Sequence, residues 1–278
     1  AIAGYILLVP NRVHTFTGLI FPTQIGMRKL LLKFIDKVII KLNTKIVCEG
    51  QGVWNELATA NISDTKFKII GNGNIAGVDL NYFSYDQLEE FKAKAPTELK
   101  LINHTKFLFV GRLNRDKGIK ELVEAFEEVE DDSTLIILGS IDKTAPPSQC
   151  ILNKIIRNKK IIHLGFLNDI RPILSLSDCI ILASYREGFP NVILQAGAMG
   201  LPSIVSNVSG SNEIIKHDVN GWIVPVKNTR ALEPEMKKFI SLDKNLLSKL
   251  KEQAIKNVHD KYERKYYQNQ ILEFYEEL

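Results

Sequence analysis

Cysteine is scarce in this chain: three in 278 residues, Cys48, Cys150 and Cys179. So small and odd a set excludes a disulfide framework and fits a reducing compartment. Their spacing matches no metal-ligand pattern. The five histidines, His14, His104, His163, His217 and His259, are equally scattered, and no Asp-x-Asp occurs. The adjacent pair Asp131-Asp132 ends a charged stretch and reads as a solvated cap. With no clustered hard ligands, neither a metal nor another cofactor is expected. There is no run of ~18 apolar residues of the kind that spans a bilayer, and the opening ten residues lack the basic n-region of a signal peptide. A cytoplasmic location follows as the expectation. The formal net charge of +4, from 36 Lys and Arg against 32 Asp and Glu, is too small to imply nucleic acid, and basic-aromatic interleaving is missing. No internal repeat or low-complexity tract appears.

What is present is ordinary for a soluble globular protein: 45% hydrophobic and 24% charged residues. Apolar runs alternate with helical patterns, the signature of βα units around a parallel sheet. Strands are predicted at residues 107–110, 134–138, 160–163, 179–183, 203–205 and 222–224. Helices are predicted near 119–129, 149–157, 169–176, 192–199 and 212–216. These elements form one complete doubly wound α/β domain over residues 105–260. The polar stretch containing Pro96 reads as a surface helix and linker, residues 86–104. Residues 1–85 start on an apolar helix-like segment and a strand at 12–16, with no preceding strand to introduce them.

The segment R-E-G-F-P-N-V-I-L-Q, residues 186–195, carries the most chemistry. Glu187 and Gln195 are eight residues apart, ~12 Å at ~1.5 Å rise if the segment is helical, close to the span from a sugar ring across a pyrophosphate to a ribose. Gly188, Phe189 and Pro190 form a turn, and a helix should start near Asn191 with its free N–H groups, including that of Val192, turned toward phosphate. An ordinary strand-loop-helix unit with an exposed loop acid would show the same spacing. A second segment, F-L-F-V-G-R-L-N-R-D-K-G, residues 107–118, sets Arg112 and Lys117 just past a strand end, where open α/β sheets bind ligands. Guanidinium plus ammonium is a natural diphosphate clamp, although a solvated basic loop would carry the same residues.

Together, G-R-L-x3-K-G and the later E-G-F-P-N-V-x7-G-x-P-x-I-V resemble the donor-binding half of glycosyltransferase family four. L-G-F-L (164–167) and S-D-C-I-I-L-A-S (177–184) stand between them in the expected order, and the match runs over most of 106–225. The resemblance implies two Rossmann-like domains of the GT-B type, the C-terminal one complete and the N-terminal one partial, with roughly one hundred residues absent given a domain of ~100–200. It implies a retaining, metal-independent transferase that moves a hexose-type unit from a nucleoside diphosphate sugar, UDP-linked by expectation, to a saccharide or lipid-linked acceptor in cell-surface polysaccharide synthesis. Arg112 and Lys117 would bind the diphosphate, joined by the backbone around Gly188, Phe189, Pro190, Asn191 and Val192. Glu187 would contact the transferred sugar. His14, in H-T-F-T-G, would be a cleft residue that orients the sugar. Gln195 departs from the ribose-binding Glu usual at that position, which forfeits ~1 kcal/mol of charge assistance. Residues 261–278 would form a final helix crossing back onto the N-terminal domain, with an aromatic stripe of Tyr262, Tyr266, Tyr267, Ile271, Phe274 and Tyr275. Alternatives are a non-catalytic nucleotide-sugar-binding fragment and a nucleotide-sugar epimerase.

Two further patterns stand outside these motifs. G-N-G-N-I-A-G, residues 71–77, imitates a dinucleotide fingerprint, but it opens no amphipathic helix and leads to no acid-ended strand, so NAD(P) is disfavoured. Over 28–45, Leu30, Leu31, Phe34, Ile35, Val38, Ile39 and Leu42 recur at helical spacing beside a row of Lys29, Lys33, Lys37, Lys41 and Lys45. Such a helix either lines a core with a solvated basic face or rests on an anionic membrane surface, placing the protein peripherally on the inner face.

Overall fold

The computed structural model describes residues 1–62, 65–129 and 132–278; the cap expected at Asp131 falls outside them. Short β-branched and aliphatic runs form strands and the amphipathic stretches between them form helices, giving two parallel sheets. The smaller half holds α1 (Ile2–Ile6), β1 (Val13–Phe16), α2 (Gly26–Leu42), β2 (Lys45–Cys48), α3 (Gln51–Thr59) and β3 (Phe67–Ile69), with strand order β1-β2-β3.

The larger half begins with α4 (Leu88–Lys94) and α5 (Thr97–Lys100). It continues through β4 (Thr105–Val110), α6 (Ile119–Glu127), β5 (Ser133–Leu138), α7 (Gln149–Arg157), β6 (Ile161–Gly165), α8 (Arg171–Leu176) and β7 (Cys179–Leu182). Then come α9 (Asn191–Ala198), β8 (Ser203–Ser206), α10 (Ser211–Ile214), β9 (Gly221–Val224), α11 (Thr229–Ile240), α12 (Lys244–Tyr262) and α13 (Arg264–Glu276). Its strand order is β6-β5-β4-β7-β8-β9. Helices cover both faces, so β5 is buried at all six positions and its last four residues, Leu135 to Leu138, are an unbroken apolar run. Every strand and helix expected in this half forms within about two residues of its predicted ends.

The smaller half corrects the sequence reading in two places. The helix expected over 28–45 ends at Leu42, where Asn43 folds back to donate to the Ile39 carbonyl (2.6 Å) and Thr44 turns the chain. Lys45 then opens β2, a strand the sequence reading missed because Ile46 and Val47 continue the apolar spacing of the helix. The apolar residues of α2 also do not share one face. Leu32, Ile39 and Ile40 enter the small core, whereas Leu30, Leu31, Phe34 and Ile35 are exposed.

Residues 86–104 are folded rather than superficial. Phe91 and Leu99 join the larger core, and the Arg171 guanidinium of α8 stacks over the rings of Tyr82 (3.6 Å) and Phe91 (4.8 Å). The aromatic stripe of the C-terminal region divides: Tyr262 packs in the larger core, and Tyr267 and Phe274 pack with Val47 and Ile70 of the smaller half. Tyr266 and Tyr275 are exposed. The chain thus crosses between the halves at 70–78 and again at 262–264, where Val78 N donates to the Tyr262 carbonyl (2.7 Å) and Arg264 N to that of Val78 (2.9 Å).

Candidate active site

In the larger sheet the chain runs β4 to β5 to β6 toward one edge, then returns so that β7, β8 and β9 run toward the other. The reversal lies between β4 and β7, and the two loops at their carboxyl ends part around a crevice where doubly wound sheets take ligands. The loop after β4 carries Arg112 and Lys117; the loop after β7 carries Glu187.

Local structure presents Lys117 to Glu187. Asn114 caps a single 3-10 turn, its side-chain oxygen accepting from Lys117 N (3.0 Å), and Gly118 adopts φ +64° to start α6. The next loop is tied to this turn at three consecutive residues. Tyr185 N donates to the Asp116 carbonyl (2.7 Å), Arg186 Nε donates to Asp116 Oδ2 (2.9 Å), and Lys117 Nζ donates to Glu187 Oε1 (2.5 Å). Side chains of Lys117 and Glu187 are only 26% and 11% exposed, so the pair sits in a medium where charge acts strongly. Arg112 behaves differently from the expected twin clamp. Its guanidinium is 72% exposed and bonds Asp142 (2.9 Å) in the neighbouring β5 loop. That carboxyl is held down at about 2, first by hydrogen bonds from Thr144, then from Asn114, with a smaller pull from Arg112.

α9 begins at Asn191 with Pro190 ahead of it in the β region and no side-chain cap. Ile193 N donates to the Pro190 carbonyl (3.0 Å), and the N–H groups of Asn191 and Val192 have no partner among the described residues. The helical ruler from Glu187 to Gln195 is therefore corrected: residues 187–190 form a turn and only 191–195 are helical. Gln195 is part-buried on the first turns of α9. The Phe189 side chain is core, 4% exposed with its ring centroid 5.5 Å from Tyr262, and lends the site its backbone only. His14 stands in β1, three residues before Thr17, edge-on to Phe16 (4.7 Å). Burial lowers its pKa. No hydrogen bond or ion pair joins it to Glu187, Lys117 or Arg112 among the described residues. Nor do any three His, Cys, Asp or Glu side chains there gather to hold a metal ion.

The seam between the halves closes on Gly188. A Cβ at this position would collide with the Thr17 carbonyl of the β1 loop and with Glu49 Oε2 after β2. From the other side, Gly210, at φ +73°, rests on the Gly188 carbonyl so tightly that it too admits no side chain. Glu213 locks this arrangement. Its carboxylate accepts from Gly210 N (3.1 Å) and, across the seam, from Gln51 N (2.7 Å) and Gly52 N (2.9 Å) at the start of α3. A negative group there also meets the positive end of the helix dipole. Ser209 bonds Glu56 nearby, and Asn74 Nδ2 donates to Asn191 Oδ1 (2.7 Å) while its oxygen accepts from Ala76 N and Gly77 N, both at 2.8 Å. The glycine-rich 71–77 segment is thus a bridge between the halves. Sequence reasoning missed Glu49, Asn74, Asp142 and Glu213. Only Glu213 left a local signal, an acid three residues into a short helix; its partner Gln51 lies 162 residues away.

Two parallel α/β halves, with a cation–carboxylate pair at the switch point of the larger sheet and an uncapped helix start beside it, fit the GT-B class of glycosyltransferase folds. The chain belongs to the glycosyl transferases group 1 family, whose model matches residues 89–257. It is 25% identical over 267 residues to the capsular polysaccharide biosynthesis glycosyltransferase CapM of Staphylococcus aureus, covering 94% of this chain and 69% of that protein. It is 29% identical over 238 residues to the UDP-Gal:alpha-D-GlcNAc-diphosphoundecaprenol alpha-1,3-galactosyltransferase of Escherichia coli, covering 82% and 59%. The chain therefore spans about three fifths to two thirds of these relatives' lengths. In fold it is similar to HepE of Anabaena, solved with UDP and glucose, at TM-score 0.83 and 20% identity over all of this chain and 74% of that one.

Proposed function

We propose that this protein transfers a hexose-type sugar from a nucleoside diphosphate donor, UDP-linked, to a saccharide or lipid-linked acceptor of a cell-surface polysaccharide, with retention at the anomeric carbon and without a metal. The Lys117–Glu187 pair at the β4/β7 crevice carries this reading. Lys117 and the uncapped start of α9 face the position of a diphosphate, so that ammonium, helix dipole and two N–H groups offset the charge that grows on the leaving group. Arg112 joins them by exchanging Asp142 for phosphate oxygen. Glu187 accepts from sugar hydroxyls, and Gln195 accepts from a ribose hydroxyl. As the bond from the anomeric carbon to the diphosphate breaks, the acceptor oxygen bonds to that carbon from the same face, and its proton passes to the departing phosphate oxygen.

Support for the donor class comes from the family match and from the relative whose name specifies UDP-Gal. The relative acting on a diphosphoundecaprenol-linked sugar makes a lipid-linked acceptor the favoured type. Exposure of Leu30, Leu31, Phe34 and Ile35 beside Lys37 and Lys41 on α2 favours an anionic membrane surface as the place where that acceptor is met. No described helix is long and apolar enough to cross a membrane.

Calorimetry with UDP and a panel of UDP-sugars tests the donor, and chromatography of the products tests transfer. Release of UDP only when an acceptor is present supports transfer. Conversion of donor alone to another nucleotide sugar would mark an epimerase, and binding without turnover a binding module. Absence of any nucleoside diphosphate binding sinks the reading. Cosedimentation with phosphatidylglycerol vesicles that is lost in a Phe34→Ser, Lys37→Glu, Lys41→Glu variant supports the membrane surface.

A further inference from the structure

Three carboxylates meet at the seam, and only two are compensated. Glu187 has Lys117, and Glu213 has the N–H groups of Gln51, Gly52 and Gly210. Glu49 is 4% exposed, and its side chain accepts no hydrogen bond and meets no cation among the described residues. Its carboxylate oxygens keep the little solvent contact the residue has and are not among the fully buried, unpartnered atoms, but a charge so nearly buried without a counter-ion is still costly. Glu49 nevertheless stands just after β2 with its Oε2 packed against Gly188, next in sequence to Glu187.

We propose that Glu49 is a positioning residue for Glu187: from the smaller half it seats the Glu187–Gly188 turn and so sets where the sugar-binding carboxylate stands. The inference rests on the functional reading above, because it concerns the sugar end of that site. Thr17 and Glu49 hold Gly188 from one side and Gly210 from the other. Glu187 can shift only if Glu49 shifts or the halves part. The titratable and charged groups facing Glu49 are Glu187 from the β7 loop, Glu213 from α10 and Tyr267 from α13; none supplies positive charge. Burial first, then Glu187 and Glu213, push the Glu49 carboxyl up to about 7. Glu49 therefore seats the turn in its neutral form. Its ionisation places a second negative charge beside Glu187 and loosens the seam.

The test compares wild type, Glu49→Ala and Glu49→Gln by calorimetry with UDP and with UDP-glucose from pH 5.5 to 8.5. The sugar-dependent part of affinity, the ratio of the two dissociation constants, reports Glu187 placement; UDP alone reports the diphosphate end. In wild type that ratio falls several-fold as pH rises through about 7. Glu49→Ala loses it at every pH with UDP affinity within two-fold of wild type. Glu49→Gln, the neutral isostere, restores it and makes it independent of pH. Equal ratios and equal pH profiles in all three proteins overturn the proposal. Should wild type bind no UDP, the functional reading fails, and a second measurement judges Glu49. The difference in thermal midpoint between Glu49→Gln and wild type should grow from pH 5 to pH 8, because raising a folded pKa removes stability as pH climbs through it. Asp36 and Glu56, also raised by burial, contribute to both proteins and cancel in that difference. A difference that stays constant overturns the assignment of Glu49 as an uncompensated seam acid.

Discussion

The two halves of this molecule fold by the same βα logic with different completeness. In the larger half both faces of the sheet are covered, and Leu135, Ile136 and Ile137 of β5 have no exposure at all. In the smaller half α2 buries one stripe and leaves Leu30, Leu31, Phe34 and Ile35 in the open. The larger half closes its core with its own elements, α6 against α11 and α9 against α12; the smaller half borrows Tyr267 and Phe274 from the far end of the chain to finish its core. The proposed donor site accordingly sits on the self-sufficient half. The other half contributes what must press upon that site from outside: Thr17, Glu49 and the start of α3.

If the seam joins the halves as described, Gly188→Ala is the most damaging single change. Its methyl group has no space against the Thr17 carbonyl, which is backbone and cannot turn aside; the Glu49 carboxylate, the end of a side chain, gives way more cheaply. Overpacking of this kind is expected to cost about 3 kcal/mol and to cut transfer by roughly 100-fold. Urea unfolding and donor turnover check this, and wild-type values for both would show that the halves do not close on Gly188.

Lys117→Ala strikes the larger half alone. It strips Glu187 of its partner and the diphosphate of its nearest cation, an expected loss of about 2–3 kcal/mol in UDP affinity, some 30- to 150-fold by calorimetry. Lys154→Ala, which breaks the pair with Glu127 on α6 and α7, should leave that affinity unchanged. Equal effects would remove Lys117 from the site.

For the smaller half, Asp36 on α2 is raised by burial from 3.8 to about 6. The stability its neutral form allows is complete below pH 4 and is lost as pH rises through 6. With its partial exposure discounted, about 1 kcal/mol is at stake. Asp36→Asn should be the more stable protein above pH 6 and not below pH 4, as thermal melts across that range would reveal; the opposite order would place Asp36 in water. The smallest change expected is a gain. Gln195→Glu restores a charged acceptor to the ribose position and should tighten UDP by at most about 1 kcal/mol, roughly five-fold. Weaker binding would mean that Gln195 does not face the ribose.

Legibility followed sequence distance. Gln149–Arg157 of α7 was read to the residue because Ser148 caps it and its apolar spacing is local. The Lys117–Glu187 pair was approached through two motifs, each marking its own loop, although 70 residues separate the partners. The start of α9 was readable at Asn191; the ruler to Gln195 was not, since a turn at 187–190 breaks the helix. The Thr-Gly turn marks His14 as a cleft residue, and the structure sets it inside β1, which continues to Phe16. Glu49 left no signal because β2, the strand just before it, is itself hidden behind the apolar spacing of α2.

By itself the sequence determined the α/β class, the βα order of the larger half, the loops that carry Arg112, Lys117 and Glu187, and the family. These depend on backbone propensity, side-chain periodicity and turn chemistry, all expressed within a few residues. Only the tertiary structure decided that Arg112 turns to Asp142, that Glu213 caps a helix of the other half, and that Glu49 is pressed without a counter-charge against Gly188. Such outcomes depend on which surfaces are driven together when water is expelled, and no window of sequence contains both surfaces.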